Sequence, residues 1–238
     1  GIRPLCLGKT KNGAFCVASE TCAFDAIEAT YIREVEPGEI VTLDGRGVSS
    51  RFFVTPGTIT PAHCFFEHVY FAKQSSIIFG ENVHEVRKRC GRQLAIEHPV
   101  DADVVIPVPD SGTSAAIGYS TESGIPFDMG FVRSHYIGRT FISPTQSLRD
   151  LEVNLKLTVV KEVVRDKRVI VVDDSVVRGT TTKGKIRSLR QAGAKQIHLR
   201  VACPPVKNPC FYGVHFPIRE ELLASQRTLE EIRDYLEV

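Results

Sequence analysis

The sequence has little that would commit it to a membrane, a nucleic acid or an oxidising compartment. Its net charge is only +2, so charge alone indicates no nucleic-acid or membrane partner. No apolar run approaches transmembrane length, and the opening GIRPLCLGKTKNG lacks the apolar core of a signal peptide. Seven cysteines without a C-x-x-C pair disfavour a disulfide framework and a local zinc ribbon. We therefore expect a reducing compartment, the cytoplasm first, with a plastid as the alternative.

What is present is an ordinary globular composition, with 42% apolar and 24% charged residues in a chain of 238. The stretch 167–193, KRVIVVDDSVVRGTTTKGKIRSLRQAG, organises the rest. Its run Val169–Val172 is apolar without alternation, which is typical of a strand buried on both faces of a parallel sheet. A helical pattern ending at Gly193 and a β-rich run at 196–202 complete a strand–loop–helix–strand unit. Ligands bind such sheets at the carboxyl ends of the strands.

The loop after this strand has the residue types of a phosphate site. A loop that turns into a helix N-terminus offers unpaired backbone N–H groups and a positive dipole end. Gly179 permits close approach of the backbone, Arg178 adds charge, and Ser175, Thr180 and Thr181 add hydroxyl groups. The pattern predicts that this loop binds a phosphate group.

Two acids, Asp173 and Asp174, stand at the entrance of the loop and would repel a bare phosphate. They are explained if they bind sugar hydroxyls or a metal ion that accompanies the phosphate, which predicts a phosphorylated sugar with Mg²⁺. The alternative is that Asp174 or Ser175 only caps the helix. A lone Asp after a strand would favour capping, but the whole string VVDDSxxRGTT favours a ligand site.

A second transition of the same kind lies upstream. The run 103–108, DVVIPV, predicts another buried strand, and Asp110, Ser111 and Gly112 then lead into a helix. Taken by themselves, Asp110 and Ser111 are explained equally well as helix caps. Further helices are predicted at 81–98 and 219–237 from their apolar spacing.

These strings resemble those of a known family. VVDDSVVRGTT resembles the phosphoribosyl pyrophosphate (PRPP) loop of type I phosphoribosyltransferases. VPDSG upstream and PCFYG downstream resemble the glutamine phosphoribosylpyrophosphate amidotransferase family, and the resemblance covers nearly all of the chain. It implies an α/β fold, the type I phosphoribosyltransferase fold with a parallel sheet flanked by helices. An antiparallel tail of an N-terminal-nucleophile glutaminase domain would precede it, and the chain would be a fragment.

The resemblance implies three segments. Residues 1–53, with the string SETCAFD, would be the tail of the glutaminase domain, and 54–75 a linker or interdomain element. Residues 76–238 would be the phosphoribosyltransferase domain without its C-terminal end. In the family the glutaminase nucleophile is a cysteine at the mature N-terminus, whereas residue 1 here is Gly. No catalytic residue is therefore assigned, and the cysteines that do not occupy the nucleophile's place are Cys6, Cys16 and Cys22.

The resemblance also implies the binding residues. A mobile lid over PRPP is expected at 133–140, where this chain has R-S-H-Y and many family members have K-N-R-Y. Mg²⁺ would be bound by Ser111, Asp173 and Asp174. The residues expected to contact PRPP are Asp110, Ser111, Gly112, Arg133, Tyr136, Arg139, Asp173, Asp174, Ser175, Arg178, Gly179, Thr180 and Thr181.

Two cysteines match ligands of a [4Fe–4S] cluster in the cluster-bearing branch of the family, Cys64 and Cys210 of PCFYG. Local spacing gives no metal site around Cys64, because ligand patterns such as H-x-x-x-H are absent there. A cubane needs four ligands, so we expect the cluster to be incomplete or absent in this chain.

The activity implied is the first step of purine synthesis, a pentosyl transfer in which ammonia replaces the pyrophosphate of PRPP. Glutamine would supply the ammonia in the full enzyme, and this chain would at most use ammonia itself. Purine nucleotides are the implied inhibitors and a homo-oligomer the implied assembly, with no nucleic acid and no membrane. The alternatives are a non-catalytic PRPP-binding regulatory protein and a transferase acting on a base such as orotate or hypoxanthine.

Overall fold

The computed structural model describes residues 1–134, 157–214 and 218–238. The chain forms two compact units, Gly1–Val86 and Arg87–Val238. Within the described residues, no helix combines the length and the apolar character that crossing a membrane requires.

The first unit is built from antiparallel pairs. Strand β1 (Cys6–Lys9) lies between β2 (Phe15–Ala18) and β3 (Thr30–Glu34), and Leu7 and Phe24 are buried there. The turn between β1 and β2 holds Asn12-Gly13, as expected for a hairpin. The other elements of this unit are helix α1 (Cys22–Ala26), the hairpin of β4 (Glu39–Asp44) with β5 (Gly47–Phe52), a π-helical turn (Glu67–Phe71), and the short pair β6 (Ile77–Ile78) and β7 (Glu81–Asn82).

The second unit contains a parallel sheet. Among the described residues its strand order is β12–β11–β8, with β11 (Arg168–Asp173) between β12 (Gln196–Val201) and β8 (Val104–Pro107). Helix α2 (Val83–Glu97) begins in the last residues of the first unit and continues into the second. The other elements of the second unit are α3 (Thr113–Ser123), β9 (Phe131–Arg133) paired antiparallel with β10 (Leu157–Val159), α4 (Lys161–Val164), α5 (Thr180–Gln191), α6 (Leu223–Gln226) and α7 (Leu229–Leu236).

Both faces of the central strand are covered, as the apolar run predicted. Val169 and Val171 pack into one cluster that includes Ile186 and Leu189 of α5. Ile170 and Val172 pack into another, on the side of α3, with Ala115, Ala116 and Tyr119. Burial of each such side chain contributes about 1.5–3 kcal/mol, so the two clusters hold the strand and its carboxyl end in place.

The prediction of one helix over 219–237 is wrong. The chain forms a 3₁₀ turn at Arg219–Glu221 and then two separate helices, α6 and α7. Helix α7 begins with a capping box: Thr228 Oγ1 accepts from the Glu231 N–H, and the Glu231 carboxylate accepts from the Thr228 N–H at 2.8 Å. This reciprocal pair satisfies N-terminal amides and therefore starts a new helix within the predicted one.

Candidate phosphoribosyl site

The first loop of the site connects β8 to α3 and passes very close to the next strand. The Val108 N–H donates to the Val172 carbonyl at 2.8 Å, and the Gly112 N–H donates to the Val108 carbonyl at 3.0 Å. A Cβ at Gly112 would lie 2.4 Å from the Val172 carbonyl oxygen, so this approach requires glycine. The loop thereby carries Ser111 to the carboxyl end of β11.

The second loop connects β11 to α5. Gly179 has a φ of +77°, a left-handed conformation that favours glycine, and α5 starts directly after it. Thr180 and Thr181 are exposed in the first turn of this helix, where backbone N–H groups lack partners within the helix. The predicted hydroxyl donors therefore lie at a helix N-terminus.

One hydrogen bond joins the two loops. The Ser111 hydroxyl donates to Asp174 Oδ1 at 2.6 Å, and the Ser175 hydroxyl donates to Asp174 Oδ2 at 2.5 Å. The strands that lead into the loops are neighbours in parallel register, with Val171 opposite Ile106. Carboxyl ends of such strands meet at one edge of the sheet, so the sequence strings PDSG and DDS come together there.

Asp173 is buried beneath this junction. Its Oδ2 lies 3.0 Å from the ammonium of Lys185 on α5, and its Oδ1 accepts from the Asp174 N–H at 3.0 Å. Burial raises the pKa of the Asp173 carboxyl above its ordinary value, and the charge of Lys185 opposes that rise. Sequence reasoning missed Lys185. The sequence feature that could have indicated this contact is a lysine in the second turn of the helix that follows the two acids.

The predicted cations have carboxylate partners. Arg178 is paired with Glu221, with 2.7 Å between its Nε and Glu221 Oε2, and both side chains are partly exposed. Arg133 at the end of β9 donates to Asp110 Oδ2 at 2.8 Å, which brings two predicted residues together. The other predicted lid residues, Tyr136 and Arg139, lie outside the described residues.

Residues that follow α5 in the chain pack against the second loop. The Leu223 N–H donates to the Val177 carbonyl at 2.9 Å. A Cβ at Gly179 would lie 2.7 Å from Leu223 Cδ2 and 3.2 Å from the Tyr235 ring, so α6 and α7 pack directly against the loop. Contacts from α6 and α7 therefore help to set the shape of the loop.

The predicted cluster ligands are each described within their own unit. Cys64 is half-buried, and its N–H donates to the Ile2 carbonyl at 2.9 Å. Cys210 is also half-buried, and its sulfur accepts from the Tyr212 N–H at 3.3 Å. In the part of the chain that the structure describes, no group of three or more His, Cys, Asp or Glu side chains could hold a metal.

Comparison with known proteins gives the class. A family model described as the phosphoribosyl transferase domain matches residues 85–211, which include both loops. The chain belongs to the phosphoribosyltransferase family.

Within that family the chain is homologous to amidophosphoribosyltransferases. It is 52% identical over 236 residues to the chloroplastic amidophosphoribosyltransferase of Glycine max, covering 99% of this chain and 41% of that protein. It is 52% identical over 225 residues to the amidophosphoribosyltransferase of Mycobacterium tuberculosis (strain ATCC 25618 / H37Rv), covering 94% of this chain and 42% of that protein.

A solved structure gives the same result. The glutamine PRPP amidotransferase from B. subtilis, complexed with ADP and GMP, matches with a TM-score of 0.92 and 47% identity, covering 100% of this chain and 52% of that one. The chain thus spans about half the length of the relatives it matches. The resemblance inferred from the sequence strings is confirmed, and so is the α/β transferase fold with its parallel sheet.

Proposed function

We propose that this chain carries the PRPP site of an amidophosphoribosyltransferase. It would transfer ammonia to C1 of PRPP, giving 5-phosphoribosylamine and pyrophosphate, the first step of purine biosynthesis. The observation that carries the proposal is the 2.6 Å hydrogen bond from Ser111 to Asp174. It joins the two strand-end loops, which a ligand with a phosphate at each end of a sugar has to span.

The residues divide between the two ends of that ligand. The loop at the start of α5 offers backbone amides and hydroxyls to the 5′-phosphate. Asp174 accepts hydrogen bonds and suits the ribose hydroxyls, and the loop before α3 suits the pyrophosphate. The residues proposed to contact PRPP are Asp110, Ser111, Gly112, Arg133, Tyr136, Arg139, Asp173, Asp174, Ser175, Arg178, Gly179, Thr180 and Thr181.

The donor set fits Mg²⁺ together with a phosphate ligand. Asp174 and Ser111 offer oxygen only, and Asp173 adds a carboxylate beneath them. Mg²⁺ is commonly bound through one or two carboxylates plus the phosphates of a substrate, so a site completed by PRPP is consistent with these residues. Bound there, Mg²⁺ would stabilise negative charge on the departing pyrophosphate.

The protein's own contribution is position and electrostatics. As the bond from C1 to pyrophosphate breaks, positive charge develops on the ribose ring, and the buried carboxylates lie at the strand end where that ring would sit. Neutral ammonia brings its own lone pair, so its attack requires alignment more than a general base. Arg133, Tyr136 and Arg139 would exclude water from the reactive sugar.

The remaining assignments concern the longer polypeptide. We propose that residues 1–53 are the tail of a glutaminase domain, 54–75 a linker and 76–238 the transferase domain. In the relatives' reaction, glutamine would supply the ammonia through that other domain. Cys64 and Cys210 do not make a four-thiolate set, so a [4Fe–4S] cluster does not fit these residues alone and no step involves it.

Regulation and location follow the relatives' names. The B. subtilis protein was complexed with ADP and GMP, so we propose purine nucleotides as ligands of this chain. The homo-oligomer that the resemblance implies stays a prediction. Several plant relatives are named chloroplastic, which supports a plastid as the location. The cytoplasm stays a prediction.

The test is release of pyrophosphate from PRPP and Mg²⁺, measured in parallel with ammonia and with glutamine. Release with ammonia but not with glutamine is expected. Release with both would contradict the assignment of the glutaminase nucleophile to residues outside this chain. Binding of PRPP without release would favour a non-catalytic PRPP-binding protein, and absence of binding would overturn the proposal.

A further inference from the structure

Asp173 and Asp174 are adjacent, but their hydrogen-bond partners differ in kind. The partners of Asp173 are fixed: the ammonium of Lys185 at 3.0 Å and the backbone N–H of Asp174 at 3.0 Å. The partners of Asp174 are the hydroxyls of Ser111 and Ser175, which can rotate toward a ligand. Asp174 can therefore exchange its partners when a ligand arrives, whereas Asp173 cannot do so without leaving the largely shielded ammonium of Lys185 unpaired.

Lys185 itself is only slightly exposed in the second unit. Its side chain is 16% exposed and that of Asp173 only 3%, so the pair is largely shielded from water. Removing one member of such a pair is costly because it leaves the other charge uncompensated. A neighbouring lysine on the same helix behaves differently: Lys183 lies 3.2 Å from Glu237 and 4.4 Å from the Tyr235 ring centre.

The charge of Lys185 also changes what the acid pair offers a phosphorylated ligand. Two ionised carboxylates carry a charge of −2 at the entrance of a phosphate loop, and one ammonium reduces this to −1. The charge of Asp173 is then balanced by Lys185, and Asp174 is the acid whose hydrogen-bond partners can change.

We propose that Lys185 is a positioning residue of the site, which fixes the Asp173 carboxylate at the end of β11. With Asp173 fixed, Asp174 and Ser111 are held where they face Mg²⁺ and PRPP. This inference rests on the proposed PRPP site. In this arrangement the Lys185 ammonium is the internal counter-ion of Asp173 and does not itself contact the ligand. Outer residues that orient metal ligands typically change metal affinity by 10- to 100-fold when they are replaced.

The experiment measures, by calorimetry on the 238-residue chain, the Mg²⁺ concentration that gives half-maximal PRPP binding. Lys185→Met removes the charge. The extra negative charge would by itself attract Mg²⁺, so a rise of about tenfold in this concentration is the result expected if the position of Asp173 matters more than the local charge. Lys185→Arg keeps the charge and is expected to restore most of the loss. Lys183→Met, the matched control on the same helix, is expected to stay within about twofold of the unmodified chain.

A background without the Asp173 charge separates positioning from general stability. If Lys185 acts through Asp173, then Lys185→Met added to Asp173→Asn changes the half-maximal Mg²⁺ concentration no further. The double variant carries neither charge of the pair, so its Mg²⁺ dependence can still be compared with that of the unmodified chain where Lys185→Met alone does not fold.

The outcomes separate the inference from the proposed function. An unchanged half-maximal Mg²⁺ concentration in Lys185→Met, with only a lower unfolding temperature, overturns the positioning role while PRPP binding by the unmodified chain still supports the site. An equal effect of Lys185→Met with and without Asp173→Asn also overturns it. No PRPP binding by the unmodified chain overturns the proposed function, and the inference with it.

Discussion

The two loops of the site follow neighbouring parallel strands, yet they are built differently. The loop before α3 is short and is pressed against the main chain of β11 through Gly112. The loop before α5 begins with two buried acids and rests on α6 and α7. The first is thus shaped by backbone contact, and the second by side-chain charge and distant packing. A strand-end loop can be adapted to one part of a ligand by either means.

The charges of the second loop can be tested with amide substitutions that keep the size of each side chain. Asp173→Asn and Asp174→Asn together are expected to abolish Mg²⁺-dependent PRPP binding, because amides supply no negative charge for the metal. Asp174→Asn alone retains the Asp173–Lys185 pair and should show most of the loss in a folded chain. Calorimetry of PRPP binding with and without Mg²⁺ measures the loss in both variants. Asp110→Asn, which removes a carboxylate from the first loop, is measured alongside them for comparison. Unchanged binding in the double variant would rule out the metal assignment.

The first loop should instead be sensitive to volume. Gly112→Ala places a Cβ 2.4 Å from the Val172 carbonyl and 2.9 Å from the Val108 carbonyl, and neither backbone atom can move cheaply. We expect a loss of about 3 kcal/mol in the free energy of unfolding, measured by chemical denaturation. Gly184→Ala is the control, since nothing lies within 4 Å of its Cβ, and it should stabilise α5 by about 0.5–1 kcal/mol. Equal stabilities of the two variants would contradict the close approach at Gly112.

The bond between the loops should have a smaller effect. Ser111→Ala removes the donor to Asp174 Oδ1, and a hydrogen bond to a charged group contributes about 1.5–3 kcal/mol. We expect PRPP affinity to fall about tenfold at saturating Mg²⁺, with little change in the unfolding temperature. Ser175→Ala removes the other hydroxyl donor, which lies in the same loop as Asp174. If both variants have the same effect, the bond across the loops has no special part in binding.

The amino end of β11 offers a further contrast, because its charges serve stability. Arg168 donates to Asp103 and lowers the pKa of that carboxyl to about 2. The pair therefore stabilises the fold fully above the carboxyl's ordinary pKa of 3.8, and this is lost as the pH falls toward about 2.

Asp103→Asn should make the free energy of unfolding slightly less dependent on pH in this acidic range. The effect is small because the pair is partly exposed. Chemical denaturation at a series of acidic pH values measures it, with PRPP binding at neutral pH as the control. A large change in PRPP binding would show that the two ends of the strand are not separate in function.

Features that depend on nearby residues could be predicted from the sequence, whereas those that depend on distant packing could not. Strand β11 was predictable because Val169 and Ile170 face opposite sides of the sheet, and both apolar side chains have to be buried. The two loops were predictable because both motifs follow buried strands. Strand β5 was missed because its sequence, GVSSRF, does not alternate and nearly all of it is exposed. The contact of Lys185 depends on how α5 packs back on the strand end, which spacing alone does not specify.

The support of the second loop by α6 and α7 has a consequence for the order in which the chain folds. Arg178 and its partner Glu221 are separated by 43 residues, and the Leu223 N–H that holds Val177 comes still later in the chain. Contacts of large sequence separation form late, because the intervening chain has to be ordered first. During synthesis the three described strands of the sheet can therefore assemble as soon as β12 has emerged, whereas the loop before α5 gains its final shape only when α7 has been made. Binding competence would then follow sheet formation, and a ligand-binding assay reports on steps that sheet formation does not reveal.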